Sequence, residues 1–152
     1  MKGVRLITFV NYLFTLYNGL YGVDNMATYT KYKVTDFVTP KEVCEIIGIS
    51  ENSIAQITRW MKEGRIPEVY LFGKNKAIPV NWVKSECLSR GIKWEGVELK
   101  EGEIGVSLKD YLPIKEYCKK NNLKYASLNN QISRGYYNGQ FIRYANTYGL
   151  PK

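Results

Sequence analysis

The side chains best placed to do chemistry in this chain are cationic and polar, and they fall into two groups. Gln56, Thr58, Arg59 and Lys62 occupy one side of the stretch 53–63, whose other side carries Ile54, Ile57, Trp60 and Met61. A few residues later Lys74, Asn75 and Lys76 crowd into "GKNK", a turn between two β-prone runs. Amide side chains make paired hydrogen bonds to adenine, guanidinium groups do the same to guanine, and lysine neutralises phosphate. These residue types in this pattern fit a polyanion. A solvated helix face and a solubilising turn would use the same residues, so polarity alone does not separate the two readings.

Other chemistries are poorly supplied. The chain has no histidine, which removes imidazole acid–base catalysis and histidine metal ligation. Cys44, Cys87 and Cys118 are odd in number and far apart, with no C-x-x-C pair, which argues against a disulfide framework or a zinc site. They read as buried thiols in a reducing compartment. No glycine-rich phosphate loop, paired catalytic carboxylates or activated nucleophile is visible. "NNQISRGYYNG" at 129–139 is polar, but its spacing suits a helix end and a turn. The expectation is a non-enzymatic protein with no cofactor and no metal.

The positive charge is uneven. A net +8 over 152 residues includes ten basic and seven acidic groups in 26–90, two basic and four acidic in 91–105, and eight basic and two acidic in 106–152. The basic C-terminal third suits nucleic acid; the acidic stretch before it does not. With 45% hydrophobic and 14% aromatic residues, the chain has material for a folded core.

The elements that position the polar groups are short. "TPKE" at 39–42 opens a helix: Thr39 as N-cap, Pro40 at the first position and Glu42 completing a capping box. Val43, Ile46 and Ile47 give its apolar face and Gly48 ends it; Ser50 or Ser53 caps the next helix, over about 53–63, which Gly64 stops. Val69, Leu71 and the Ile78 region predict two strands around Gly73, and Pro79 leads into a third helix with Trp82, Val83 and Leu88. Two short helices joined by a few residues form a helix-turn-helix, and the hairpin beside them is a wing.

The pattern occurs twice. "IKEYC" at 114–118 matches "PKEVC" at 40–44, and "ISRG" at 132–135 matches "MKEG" at 61–64. Leu123 falls where Ile49 does, Leu128 where Ile57 does, and "GLPK" echoes "AIPV". The second helix face then offers Ser127, Asn129, Asn130, Ser133 and Arg134, and the second wing has Arg143 as its only basic residue.

In "TPKEVCEIIGIS", "ITRWMKEGRIP" and the strand pair closing at "AIP", the chain resembles the excisionase-type winged helix-turn-helix domains, distant relatives of the MerR regulators. The resemblance covers 35–88 well and 113–152 in part. It implies an α+β fold of tandem winged helix-turn-helix units with two- or three-helix cores, a second helix reading the major groove of double-stranded DNA, and a wing on the backbone. It also implies a transcription regulator, excisionase-like or DNA-architecture factor of a phage or mobile element, cytoplasmic or nucleoid-associated, without cofactor. The chain departs from that pattern in three places: extra residues in "SENSIAQI", Gln131 where the first unit has Trp60, and no third helix between the second wing and Lys152.

These readings divide the chain into an aromatic-rich extension (1–34), a first unit (35–90), an ordered β-rich connector (91–105) and a second, truncated unit (106–152). In the connector, alternation at Trp94, Val97, Leu99, Ile104 and Val106 predicts strands. Residues 1–25 have basic residues ahead of an apolar stretch, but Asn11 and Thr15 interrupt it and no membrane span is expected. That segment reads as a packed element, a contact for a protein partner or for self-association, an interfacial helix, or an extension with little role; Met26 is a candidate alternative start. The rival to DNA binding is a structural or assembly protein, a virion component, using the repeat and its thirteen tyrosines for protein contacts.

Overall fold

The structure, a computed structural model, describes residues 30–152; the expectations for residues 1–29 lie outside it. The described chain is a small α+β protein with five α-helices, one parallel strand pair and two antiparallel sheets. In chain order, β1 (Tyr32–Val34) and β2 (Phe37–Val38) precede α1 (Pro40–Ile47) and α2 (Ile54–Lys62), with a 3-10 turn at Glu51–Ser53 between the helices. The hairpin β3 (Tyr70–Phe72) and β4 (Asn75–Pro79) runs into α3 (Val80–Ser89). After the connector come β5 (Ile104–Val106), a 3-10 turn, β6 (Tyr111–Pro113), α4 (Ile114–Lys120), α5 (Tyr125–Ser133), and the hairpin β7 (Ile142–Tyr144) and β8 (Thr147–Pro151).

Local chemistry accounts for the first helix. Thr39 Oγ1 accepts from the Glu42 amide at 3.1 Å, and Glu42 Oε1 accepts from the Thr39 amide at 2.8 Å. Two of the amide donors that a helix start leaves unpaired are thereby satisfied. Between the helices Ser50, not Ser53, supplies the side-chain bond, accepting from the Asn52 amide at 3.1 Å.

The two halves repeat the same order of strand, helix, helix and hairpin, and they do so in register. The sheets are ordered β2-β4-β3 and β6-β8-β7. Phe37 faces Pro79 as Tyr111 faces Pro151, and Phe72 faces Asn75 as Tyr144 faces Thr147. The Ile49 amide bonds to the Cys44 carbonyl at 2.9 Å, and Leu123 to Cys118 at 2.8 Å. Arg65 and Ile66 both donate to the Trp60 carbonyl, as Tyr136 and Tyr137 do to Gln131.

Three apolar clusters hold the body together. One belongs to the first unit, built on Val43, Ile47, Ile57, Trp60, Ile66, Ile78 and Val83. A smaller one belongs to the second, on Ile114, Leu128, Ile132 and Leu150. The third joins the units, with Val34, Phe37, Phe72 and Ala77 from one side and Leu108, Tyr111, Ile142 and Tyr144 from the other. Cys44, Cys87 and Cys118 are buried and free; burial pushes the thiols of Cys87 and Cys118 up, which keeps them protonated.

The connector is less regular than its alternation predicts. Only Ile104–Val106 forms a strand, because only it has a ladder partner, pairing with β1 in parallel. Trp94 and Val97 instead pack singly against the first core.

Candidate functional site

The sequence pattern of α2 divides it into two sides, and burial follows. Ile57 and Trp60 are buried, Arg59 and Lys62 are exposed, and Gln56 and Thr58 are half-buried at the margins. Ile54, which the apolar spacing includes, is 36% exposed and is not among the residues packed in the first core. Thr58 Oγ1 donates to the Ile54 carbonyl at 3.2 Å, so its lone pairs, not its proton, face outward chemistry.

A groove of about 290 Å³ runs between α2 and the first hairpin. Its walls are Thr39 and Pro40 at the start of α1, Thr58 and Met61 of α2, Lys74 to Lys76 of the hairpin, and Ala145 from the hairpin of the second unit. The structure thus brings Thr58, Lys74, Asn75 and Lys76 together on one concave surface. Thr39 and Ala145 were not among the residues expected there. Ala145 has one sequence signal: it occupies the hairpin position held by Gly73 in the first unit.

The hairpin tip is not free-standing. Asn75 Nδ2 donates to Thr147 Oγ1 at 2.9 Å, and that bond is partly buried. Asn75 therefore spends a donor within the molecule, while Lys74 stays exposed and Lys76 half-buried beside it. The cations of this region have no acidic partner: among the described residues, Arg59, Lys62, Lys74, Lys76, Arg134 and Arg143 form no ion pair. Elsewhere Glu86 takes both Arg65, at 3.0 Å, and Arg90, at 2.8 Å.

In the second unit, Ser127, Asn130 and Arg134 are exposed on or just after α5, and Asn129 and Ser133 are half-buried. They stand at the positions of Gln56, Arg59, Glu63, Thr58 and Lys62 respectively, so this face has one cation in place of two cations and a carboxylate. Ser133 Oγ lies 3.4 Å from the Asn130 carbonyl, a weak contact. Arg143 is exposed on β7 where the first hairpin has Leu71. The two groups of candidate residues lie in different units, and no groove unites them.

Among the described residues, no cluster of histidine, cysteine or carboxylate side chains has the makings of a metal site, and no helix is long and apolar enough to cross a membrane. Neither a family model, nor a curated protein, nor a solved structure matches this chain.

Proposed function

We propose that this chain is a double-stranded DNA-binding protein whose two repeats act as winged helix-turn-helix units in the manner of the excisionase-type domains it resembles. On this reading it is a transcription regulator or DNA-architecture factor of a phage or mobile element. The observation that carries the reading is the set of cations on and beside α2 that form no ion pair among the described residues. An arginine or lysine paired with a carboxylate is spent on its own protein; among the described residues, Arg59, Lys62, Lys74 and the half-buried Lys76 form no such pair. Lys74 and Lys76 line a groove whose walls also supply the Thr39 and Thr58 hydroxyls and the Asn75 amide, while Arg59 and Lys62 are exposed on α2 outside that lining. Arg59 and Gln56 have the chemistry to read base edges, and Lys74 and Lys76 to hold phosphates.

The test is selection from a random duplex library with the purified protein and with Arg59→Ala. Wild type is expected to enrich a motif, and Arg59→Ala to bind it about tenfold more weakly with relaxed preference at one position. Enrichment of the same motif at equal affinity by both proteins removes Arg59 as a reader. No enrichment by wild type removes the proposal.

One observation favours the rival assembly role. Tyr136 is 72% exposed and Leu71 61% exposed, both large apolar groups on the two units. A tyrosine at that exposure suits a protein interface. DNA binding is preferred because single exposed apolar residues are ordinary on protein surfaces, whereas Arg59, Lys62, Lys74 and Lys76 form no ion pair among the described residues even with Glu63 beside Lys62.

A further inference from the structure

The two units carry their positive charge in different places. Residues 115–124, from α4 to the residue before α5, hold four lysines and one carboxylate, a net +3. The matching residues of the first unit, 41–50, hold Lys41, Glu42 and Glu45, a net −1. At the hairpin turns the order is reversed. Residues 73–76 include Lys74 and Lys76, whereas their counterparts are Ala145, Asn146, Thr147 and Tyr148, with no charge. The backbone does not require the change, since both helix-to-helix turns close on the same bond, Ile49 amide to Cys44 carbonyl and Leu123 amide to Cys118 carbonyl.

Lys115, Lys119, Lys120 and Lys124 are all exposed, and among the described residues none of them forms an ion pair. Lys119 and Lys120 lie in the last turn of α4, where the helix dipole favours a cation. The dipole does not explain Lys115, which lies in the first turn, or Lys124, which lies beyond the helix. Lys115 and Lys119 also stand one turn apart on one side of α4, a spacing at which like charges repel. The place of Lys115 is defined: its Nζ sits 5.3 Å from the ring centre of Tyr125, the first residue of α5. Tyr125, Asn129 and Ser133 recur every four residues and form one stripe along α5. Asn129 and Ser133 are candidate readers, so Lys115 adjoins the end of a stripe that carries them. We infer that the second unit holds the phosphate backbone of duplex DNA through Lys115 and Lys119 of α4, with Lys124 adding charge at the turn, where the first unit uses Lys74 and Lys76 of its hairpin. This assignment rests on the proposed DNA binding and adds its second anchor. Phosphate contacts of this kind fix the position of α5 and carry no base preference.

The experiment measures binding of the full chain to a mixed-sequence duplex across salt, beside a variant carrying Lys115→Gln and Lys119→Gln. The variant is expected to bind at least about tenfold more weakly at about 50 mM salt, with a slope of log affinity against log salt shallower by about two units. A control carrying Lys84→Gln and Lys100→Gln, which removes the same charge from exposed positions elsewhere, is expected to keep the wild-type slope. Lysine footprinting of the wild type needs no variant: acetylation of each lysine is followed by mass spectrometry with and without excess duplex. Duplex is expected to protect Lys115, Lys119 and Lys124 and to leave Lys84 and Lys100 as reactive as before. Equal slopes for wild type and variant, an equal drop in the control, or unprotected Lys115 and Lys119 in the complex overturns this assignment while leaving DNA binding intact. A wild type that does not bind the duplex overturns both.

Discussion

Position 60 in the first unit and position 131 in the second sit at the same place in the repeat, yet one is tryptophan and the other glutamine. In the first unit α3 lies over this place. Trp60 is 6% exposed, its ring 6.3 Å from Trp82, with the Arg65 guanidinium 4.2 Å above it and Arg90 at 5.9 Å. Trp82 Nε1 in turn donates to the Arg65 carbonyl at 3.0 Å, and Glu86 of α3 ties down both arginines. In the second unit Gln131 is exposed, and among the described residues no helix follows the second hairpin to lie over it. The comparison teaches that the polarity of a helix position is set by the layer above it. The backbone is the same in both: Arg65 and Ile66 donate to the carbonyl of residue 60 as Tyr136 and Tyr137 do to that of residue 131.

The sharpest way to break this comparison is to truncate both residues. Trp60→Ala is expected to destabilise the protein by about 3–5 kcal/mol, the range for emptying a buried aromatic site. Gln131→Ala is expected to change stability by no more than about 0.5 kcal/mol. Chemical denaturation of the two variants measures both, and equal losses would mean that the second unit has a cover over Gln131.

A smaller effect tests the interface between the units. Phe72 and Tyr144 are counterparts in contact, and the Tyr144 hydroxyl is buried with no hydrogen-bond partner among the described residues. Burial first, then the charges of Glu42 and Asp36, push its pKa far above the ordinary tyrosine range, so it stays protonated. A buried donor without a partner costs about 1–3 kcal/mol. Tyr144→Phe, which copies Phe72, is expected to leave the fold intact and raise stability by about 1 kcal/mol in the same denaturation measurement. A loss of that size would instead reveal a partner for the hydroxyl.

What the sequence makes legible is what short-range physics decides. The capping box at Thr39 and Glu42, the stop at Gly64 and the hairpin around Gly73 each depend on a few neighbouring residues, and each is found where the residues place it. The repeat is legible because matched residues recur in order. The contact surface between the units is not: Val34, Phe72, Leu108 and Tyr144 converge from distant positions with no local pattern to announce them. Ala145 shows the same limit. It holds a left-handed backbone, φ 54°, where the first unit uses Gly73 at φ 64°; Asn146 beside it marks a turn, but alanine itself does not announce a left-handed position. The candidate site was legible as residue types on a helix face and a turn. That Asn75 is committed to Thr147, and that a groove gathers Thr58 with Lys74 and Lys76, depends on the second hairpin packing beside the first.

The claim that the unpaired cations serve DNA is tested most directly by salt. Binding of wild type to a mixed-sequence duplex is measured between 50 and 200 mM salt, beside a variant with Lys74 and Lys76 both changed to Gln. Each phosphate neutralised releases condensed counterions and adds about −0.9 to the slope of log affinity against log salt. With about four phosphate contacts, wild type is expected to show a slope near −3.6. The double variant is expected to be shallower by about one unit for each lysine that contacts phosphate. A slope shallower than about −1, equal in both proteins, would contradict the DNA-binding account and leave Lys74 and Lys76 as the exposed tip of a turn.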